Sequence, residues 1–311
     1  MINYLLPIFL ATIVGFLTQR TGLCMVRAVQ ELTAKRPAFL FTILCCGFWF
    51  WFIIPFLGSD IVSLSIKRYD GTLHFLLGGL LFGLGAAINK GCSISTISKL
   101  ARGHIYMLAT IVGWIIGWCI LASMNIPFSY EPIEMLHEPI YPIFIIILLL
   151  FLLTIWRVTS DHRPLLFGIL LFGICASLLT YLVPDWSPSQ LLKDISGKLF
   201  HQQHVSWPSL QRYLIIAGLV IGMSYGAKQK MGFKHYKFRL KQLVTHLCAG
   251  IIMGLGASLA LGGNDSQLLI ALPAFSPGGA VSVLFIIIGI ATGLALRKAL
   301  HRLQSQTRKP D

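Results

Sequence analysis

Hydrophobic residues run continuously through stretches 3–18, 39–57, 72–88, 104–123, 140–157, 164–183, 212–227, 244–261 and 281–297, and polar residues collect between them. Each stretch is about 16 to 20 residues long, enough for an α-helix to cross a hydrocarbon core of about 30 Å. A membrane β-strand would alternate apolar and polar positions over about 10 residues, and none of these stretches does. The pattern predicts an all-α polytopic membrane protein with about nine transmembrane helices and short re-entrant helices between some of them. No positive charge precedes the first stretch and no small-residue cleavage site follows it, so it is expected to remain as a spanning helix rather than be removed as a signal peptide.

Two stretches share one pattern. Gly79-Leu-Leu-Phe-Gly83-Leu-Gly85-Ala86 runs on to Lys90-Gly91-Cys92-Ser93, and Gly250-Ile-Ile-Met-Gly254-Leu-Gly256-Ala257, at an offset of 171 residues, runs on to Leu261-Gly262-Gly263-Asn264. Glycines four apart on a membrane helix allow close helix packing. A glycine-rich helix that ends twice in a polar break is also how transporters with internal repeats build a substrate path. Hydroxyl, Asn and Asp residues after each break (Ser93, Ser95 and Thr96; Asn264, Asp265 and Ser266) suit N-caps of short helices. Backbone N–H groups there would favour an anion.

Composition agrees with a membrane solvent. The 311 residues are 56% hydrophobic and 12% charged, with mean hydropathy +0.76, too little polar surface to coat a soluble globule of this size. The net charge of +14 could point to nucleic acid, but its distribution explains it without one. Arg20, Arg27, Lys35 and Arg36 follow the first stretch, Lys90, Lys99 and Arg102 the third, Arg157 and Arg163 the fifth, Lys228 to Lys241 the seventh, and Arg297 to Lys309 the ninth. The alternate loops carry Lys67, Arg68, Lys193, Lys198, the boundary residue Arg212 and the acids Glu131, Glu134 and Glu138. The positive-inside rule then predicts an N-terminus outside and a cytoplasmic C-terminus. An even number of helices would break this alternation. The third and eighth stretches would cross in opposite directions, making the two copies an inverted pseudo-repeat. Residues 1–125 form the first half and 210–311 the second, with a basic tail expected to touch anionic lipid. Residues 126–209 form a central two-helix insert with an outer loop whose Trp186 and Trp207 suit the membrane interface.

A second glycine-cysteine element, Gln19-Arg20-Thr21-Gly22-Leu23-Cys24, follows the first stretch, with a faint echo at Gln229-Lys230-Met231-Gly232. Together with Gly83-Leu-Gly-Ala-x4-Gly91-Cys92 and Gly254-Leu-Gly-Ala-x4-Gly262-Gly263-Asn264, it resembles the YeeE/YedE sulphur-transport family, over about 10–123 and 212–297. The resemblance implies an inverted-repeat membrane fold with nine spanning and short re-entrant helices, thiosulfate uptake, and motif cysteines that contact the sulfur anion. That role carries over to Cys92 and to Cys24. It also brings to mind a small cytosolic sulfur-carrier protein as a partner. Where a symmetrical path would place another cysteine, this chain has Gly263, with Asn264 and Asp265 beside it.

The candidate pathway residues are thus Cys92, Cys24, Gly91, Ser93, Gly262, Gly263, Asn264, Asp265, Gln19 and Arg20. A thiol is a weak donor and a soft group, suited to a terminal sulfane sulfur. The alternative function is a membrane-embedded thiol enzyme that passes sulfur to a cytosolic carrier, with Lys90 or Arg20 stabilising a thiolate. Cys45, Cys46, Cys119, Cys175 and Cys248 lie in apolar stretches and are expected to pack as small hydrophobes. No CxxC pair or Cys/His cluster points to a metal or other cofactor, and His201 and His204 sit in a polar loop. No acid falls at a predicted helix centre, which argues against a carboxylate proton relay and leaves Asp265 as a cap or a gate.

Overall fold

The computed structural model describes residues 2–57, 67–124, 130–133, 141–157, 163–200, 206–230 and 239–306. In chain order the helices are α1 (Ile2–Thr21), α2 (Met25–Thr33), α3 (Ala38–Cys45), α4 (Phe50–Leu57), α5 (Leu73–Asn89), α6 (Ser93–Leu100), α7 (Met107–Ser123) and α8 (Tyr141–Arg157). They continue with α9 (Arg163–Leu182), α10 (Pro188–Leu199), α11 (Leu210–Lys230), α12 (Leu240–Leu259), α13 and α14 (Pro277–Gln306). Helix α13 is a short α-helical turn, Asn264–Ser266, continued by a π-helical turn, Gln267–Ala271. A two-residue ribbon, β1 (Arg68–Tyr69) against β2 (Pro132–Ile133), is antiparallel and small enough to leave the fold all-α.

Among the described residues, six helical spans are long and apolar enough to cross a membrane: Tyr4–Thr33, Leu73–Leu100, Arg163–Leu182, Leu210–Gln229, Leu240–Leu259 and Pro277–Leu300. Shorter apolar helices lie at Ala38–Ile54, Met107–Ser123 and Ile145–Thr154. Large apolar side chains cover the outside: Leu149 is 60% exposed and Trp156 74%, the surface a protein offers to lipid rather than to water. The chain is an all-α polytopic membrane protein.

Backbone contact through glycine holds the bundle together. A Cβ added at Gly83 of α5 would stand 2.4 Å from the Ile286 carbonyl oxygen of α14, and one at Gly254 of α12 would stand 2.3 Å from the Trp114 carbonyl oxygen of α7. The third glycine of each pattern turns inward: Gly85 meets Met253, and Gly256 meets Gly78 and Phe82. Helices α5 and α12 therefore pack on each other and run antiparallel, since Gly78 lies by Ala260 and Gly85 by Ala249.

Two stretches depart from the sequence pattern. The apolar run 39–57 is not one helix but α3 and α4, opened by turns at Cys46 to Trp49. The cause is close packing: a Cβ on Gly47 would lie 2.3 Å from the Leu268 carbonyl oxygen and 2.5 Å from Pro273. Within the polar stretch Pro184–Pro208 lies a helix, α10, and Trp186 is buried there with its Nε1–H donating to Thr180 (2.9 Å), so only Trp207 has the exposure of an interfacial anchor. His201 and His204, Glu134 and Glu138, and the basic residues Lys234 and Lys237 lie outside the described residues, as do Met231 and Gly232 of the faint echo.

Candidate functional site

Three short helices start and stop in the same way. Before α2, α6 and α13 the chain turns through a left-handed residue, Gly22 (φ 64°), Lys90 (φ 58°) and Leu261 (φ 58°). The next N–H then reaches back five residues, from Leu23 to Thr18 (3.2 Å), Gly91 to Ala86 (2.9 Å) and Gly262 to Ala257 (2.8 Å). This is the Schellman closure of the preceding long helix. The following residues, Cys24, Cys92 and Gly263, are extended and begin the short helix. Each short helix closes at a second left-handed residue, Lys35, Gly103 and Phe275. The third is one residue longer, and the π-helical turn absorbs that residue. A left-handed conformation at a branched or bulky side chain such as Leu261 costs about 1 to 3 kcal/mol and persists only where the surroundings enforce it.

The expected N-caps are not made. Neither Cys92 nor Gly263 caps its helix through a side chain. The hydroxyls one turn on bond backwards instead: Ser95 and Thr96 to the Cys92 carbonyl (3.1 and 2.9 Å), and Ser266 to the Gly263 carbonyl (3.0 Å). This geometry explains Gly91 and Gly262, because a Cβ there would lie 2.6 Å from Ser95 Oγ and 2.0 Å from Ser266 Oγ.

The remaining polar groups join the short helices to one another. Ser93 Oγ lies 2.6 Å from Asn264 Oδ1 and 3.0 Å from Asp265 Oδ1, and the Ser93 N–H also donates to Asn264 Oδ1 (3.3 Å). Asp265 Oδ2 accepts the Ser189 N–H of α10 (3.0 Å). The Cys24 thiol contacts both Ser95 Oγ (3.4 Å) and the Cys92 thiol. Ser98 donates to Gln19 Oε1 (2.6 Å), and Lys99 Nζ donates to the Lys90 carbonyl at the open end of α5 (2.7 Å). Eight of the ten sequence candidates therefore gather at one place where α2, α6 and α13 begin, and Gln19 reaches Ser98 farther along α6. Arg20 does not join them: it is exposed, with its guanidinium 6.0 Å from the Phe16 ring. Cys45, Cys46 and Cys175 are buried, Cys119 is half-buried, and Cys248 is exposed rather than packed.

Three spaces flank this cluster, one of them a pocket of about 210 Å³ lined by Ser93, Thr96, Trp114 and Ser189 among others. A vestibule of about 550 Å³, bordered by Lys67, Lys193, Gln190, Gln267 and Asp185, opens beside the first turn of α5 and the last turn of α12. On the other face of α13, Cys92, Asn264, Asp265, Met25, Ile43 and Leu268 are among the residues enclosing a cavity of only about 10 Å³, room for about one water. Among the described residues no group of three or more His, Cys, Asp and Glu side chains could hold a metal ion.

A cysteine in place of Gly263 would have to displace its neighbours. A Cβ there would lie 2.8 Å from Asp265 Oδ1 and 3.0 Å from both Ser189 Cβ and Trp114 Cη2. The buried carboxylate and α10 occupy the volume that another cysteine would need.

Residues that spacing does not reveal complete the site. Ser189 arrives from α10, whose start does carry a signal: Ser187 Oγ accepts the Gln190 N–H (3.4 Å) with Pro188 between them, a Ser-x-x-Gln cap. Asn89 supports the break after α5. It donates to Gly91 O (2.9 Å) and Thr96 Oγ1 (2.8 Å) and accepts from Thr110 (2.8 Å) and His246 Nδ1 (2.8 Å). Replacing Asn89 by alanine strands several of these buried partners at about 1 kcal/mol or more each. The expected loss is about 2 kcal/mol, read as a lower melting temperature of the detergent-solubilised protein.

No curated protein sequence matches the chain. A sequence profile of the family described as "Sulphur transport" matches residues 20–143 and again 135–292, so both halves of the chain carry the family's pattern. Those two regions contain the three glycine breaks and the cluster they build, and the chain belongs to the YeeE/YedE sulphur-transport family.

Proposed function

We propose that the chain carries thiosulfate or a closely related small sulfur anion inward across the bacterial cytoplasmic membrane. The anion would descend from the vestibule, past the constriction at Cys92, Asn264 and Asp265, to the face bearing Lys90 and Lys99. The observation that carries this reading is the meeting of Cys24 and Cys92, distant in sequence, at the starts of two short helices with Ser95 between them. Soft S–H donors suit a terminal sulfur atom, and neutral donors hold an anion weakly enough to release it.

The same reading takes all nine apolar stretches as membrane-crossing segments, the second of them broken into α3 and α4, and the two glycine patterns as an inverted pair, with the N-terminus outside. The antiparallel packing of α5 and α12 supports this arrangement. Helices α9 and α10 repeat the sequence of a long helix followed by a short one, which draws much of 126–209 into the second half. The basic residues around Lys228 and Lys241 would face anionic lipid and the cytosol, where a small sulfur carrier could collect the product.

Purified protein in liposomes is expected to take up labelled thiosulfate saturably without any carrier protein. Persulfide formation on Cys24 or Cys92 without uptake would favour the thiol-enzyme reading instead. Lys67 and Lys193 at the vestibule should act by attraction at long range. Their joint replacement by glutamine is expected to raise the half-saturating concentration about threefold at low ionic strength, an effect that disappears at high salt.

A further inference from the structure

Asp265 is buried, at 1% exposure, and is the only acid buried to that degree among the described residues. The ion pairs among the described residues are Arg27 with Glu31 and Arg212 with Asp194, so no cation stands within bonding distance of Asp265. An uncompensated carboxylate in such a place is costly.

Counting protons around it gives a second argument. Asn264 Oδ1 accepts the Ser93 backbone N–H, which fixes the amide with its oxygen toward Ser93. The Ser93 hydroxyl has one proton, and its shorter contact, 2.6 Å, is to that same oxygen, which can only accept. The 3.0 Å contact between Ser93 Oγ and Asp265 Oδ1 then lacks a proton unless Asp265 supplies it. With a proton on Oδ1, Asp265 donates to Ser93 while Oδ2 accepts from the Ser189 N–H, so each of these two contacts has one donor and one acceptor.

The groups facing Asp265 across the small cavity are the thiols of Cys92, at the start of α6, and Cys46, after α3; its neighbours on α7, α9 and α10, namely Trp114, Phe172 and Ser189, do not titrate. Asp185 and Lys193 stand in the vestibule on the opposite face of α13.

Building on the transport reading above, we propose that Asp265 is protonated at neutral pH and is the group that decides whether an anion passes. As a neutral acid it adds no charge to the constriction and keeps Ser93 and Ser189 in place. On ionisation its proton leaves to water, and the carboxylate left behind repels an approaching anion at the narrowest point. Asp265→Asn reproduces the neutral acid: its amide can donate to Ser93 and its oxygen can accept from Ser189.

The test uses the full-length protein in liposomes, with the same pH on both sides and labelled thiosulfate as the probe. Wild-type flux is expected to fall about tenfold per pH unit above the point where Asp265 ionises, because the competent fraction falls by that factor. Flux through Asp265→Asn is expected to be independent of pH over the same range. Infrared spectroscopy supplies a readout that needs no transport: the wild type should show a protonated carboxyl band at neutral pH that Asp265→Asn lacks. An Asp265→Asn variant that keeps the wild-type pH profile, or that is folded yet conducts at no pH, overturns the proposal, as does the absence of the band from the wild type. Absence of wild-type flux at every pH instead overturns the transport reading, and the infrared band then decides the protonation state alone.

Discussion

Thiosulfate uptake is expected to fall between about ten- and a hundredfold when Cys92 is replaced by alanine, with little change in the amount of folded protein. The thiol lies at the start of α6, 2% exposed, where it borders the cavity of about 10 Å³ and touches Cys24. A hydrogen bond to a charged partner is worth about 1.5 to 3 kcal/mol, and each 1.4 kcal/mol is a factor of ten. Alanine removes the donor and leaves room for water but does not touch the glycine contacts that hold the helices. Serine at the same position keeps a donor while losing the soft sulfur, so Cys92→Ser should fall between the two. Cys24→Ala should have a smaller effect, because Cys24 does not border that cavity. The measurement is the initial uptake rate in liposomes at matched protein density.

Leucine at Gly83 or Gly254 is expected to cost more than about 3 kcal/mol and to deplete folded protein from the membrane. Overpacking usually costs about 1 to 3 kcal/mol because neighbouring side chains can shift. Here the first obstacles are main-chain atoms: Ile286 O at 2.4 Å and Ile290 N at 2.8 Å for Gly83, and Trp114 O at 2.3 Å for Gly254. Relief requires whole helices to separate, which also opens the α5 and α12 contact behind the site. Gly71→Ala is the control. Its nearest neighbour is a side-chain methyl of Val281 at 3.2 Å, so its effect should stay within about 0.5 kcal/mol. Size-exclusion profiles and melting curves in detergent distinguish the two cases.

How much of this was legible in the sequence depends on how local the cause is. Helix identity follows from apolar runs of spanning length. The two glycine patterns and their polar breaks are likewise local, and they led directly to Cys92, Ser93, Asn264 and Asp265. What stayed hidden depends on distant partners. The opening of 39–57 at Gly47 is imposed by Leu268 and Pro273, more than two hundred residues away. The polar residues of α10 look like a loop in isolation, and its start is buried where Ser189 meets Asp265. Arg20 belongs to the glycine-cysteine element and could stabilise a thiolate, yet neighbouring helical residues point apart: Gln19 turns in to Ser98 while Arg20 turns out to Phe16. Hydroxyl residues after a break read as caps, but in an apolar interior those of α6 and α13 bond back to the first carbonyl or across to the next short helix. Asp265 was judged by its distance from any predicted helix centre, and a short helix that starts in the interior makes that distance misleading.

Selenosulfate, in which a heavy scatterer replaces the terminal sulfur of thiosulfate, locates the anion directly. Crystals of the protein soaked with it are expected to show an anomalous selenium peak within hydrogen-bonding reach of the Cys92 thiol, on the side of Asn264 and Asp265. A peak confined to a place remote from Cys92, in protein whose thiosulfate uptake is intact, would contradict the account.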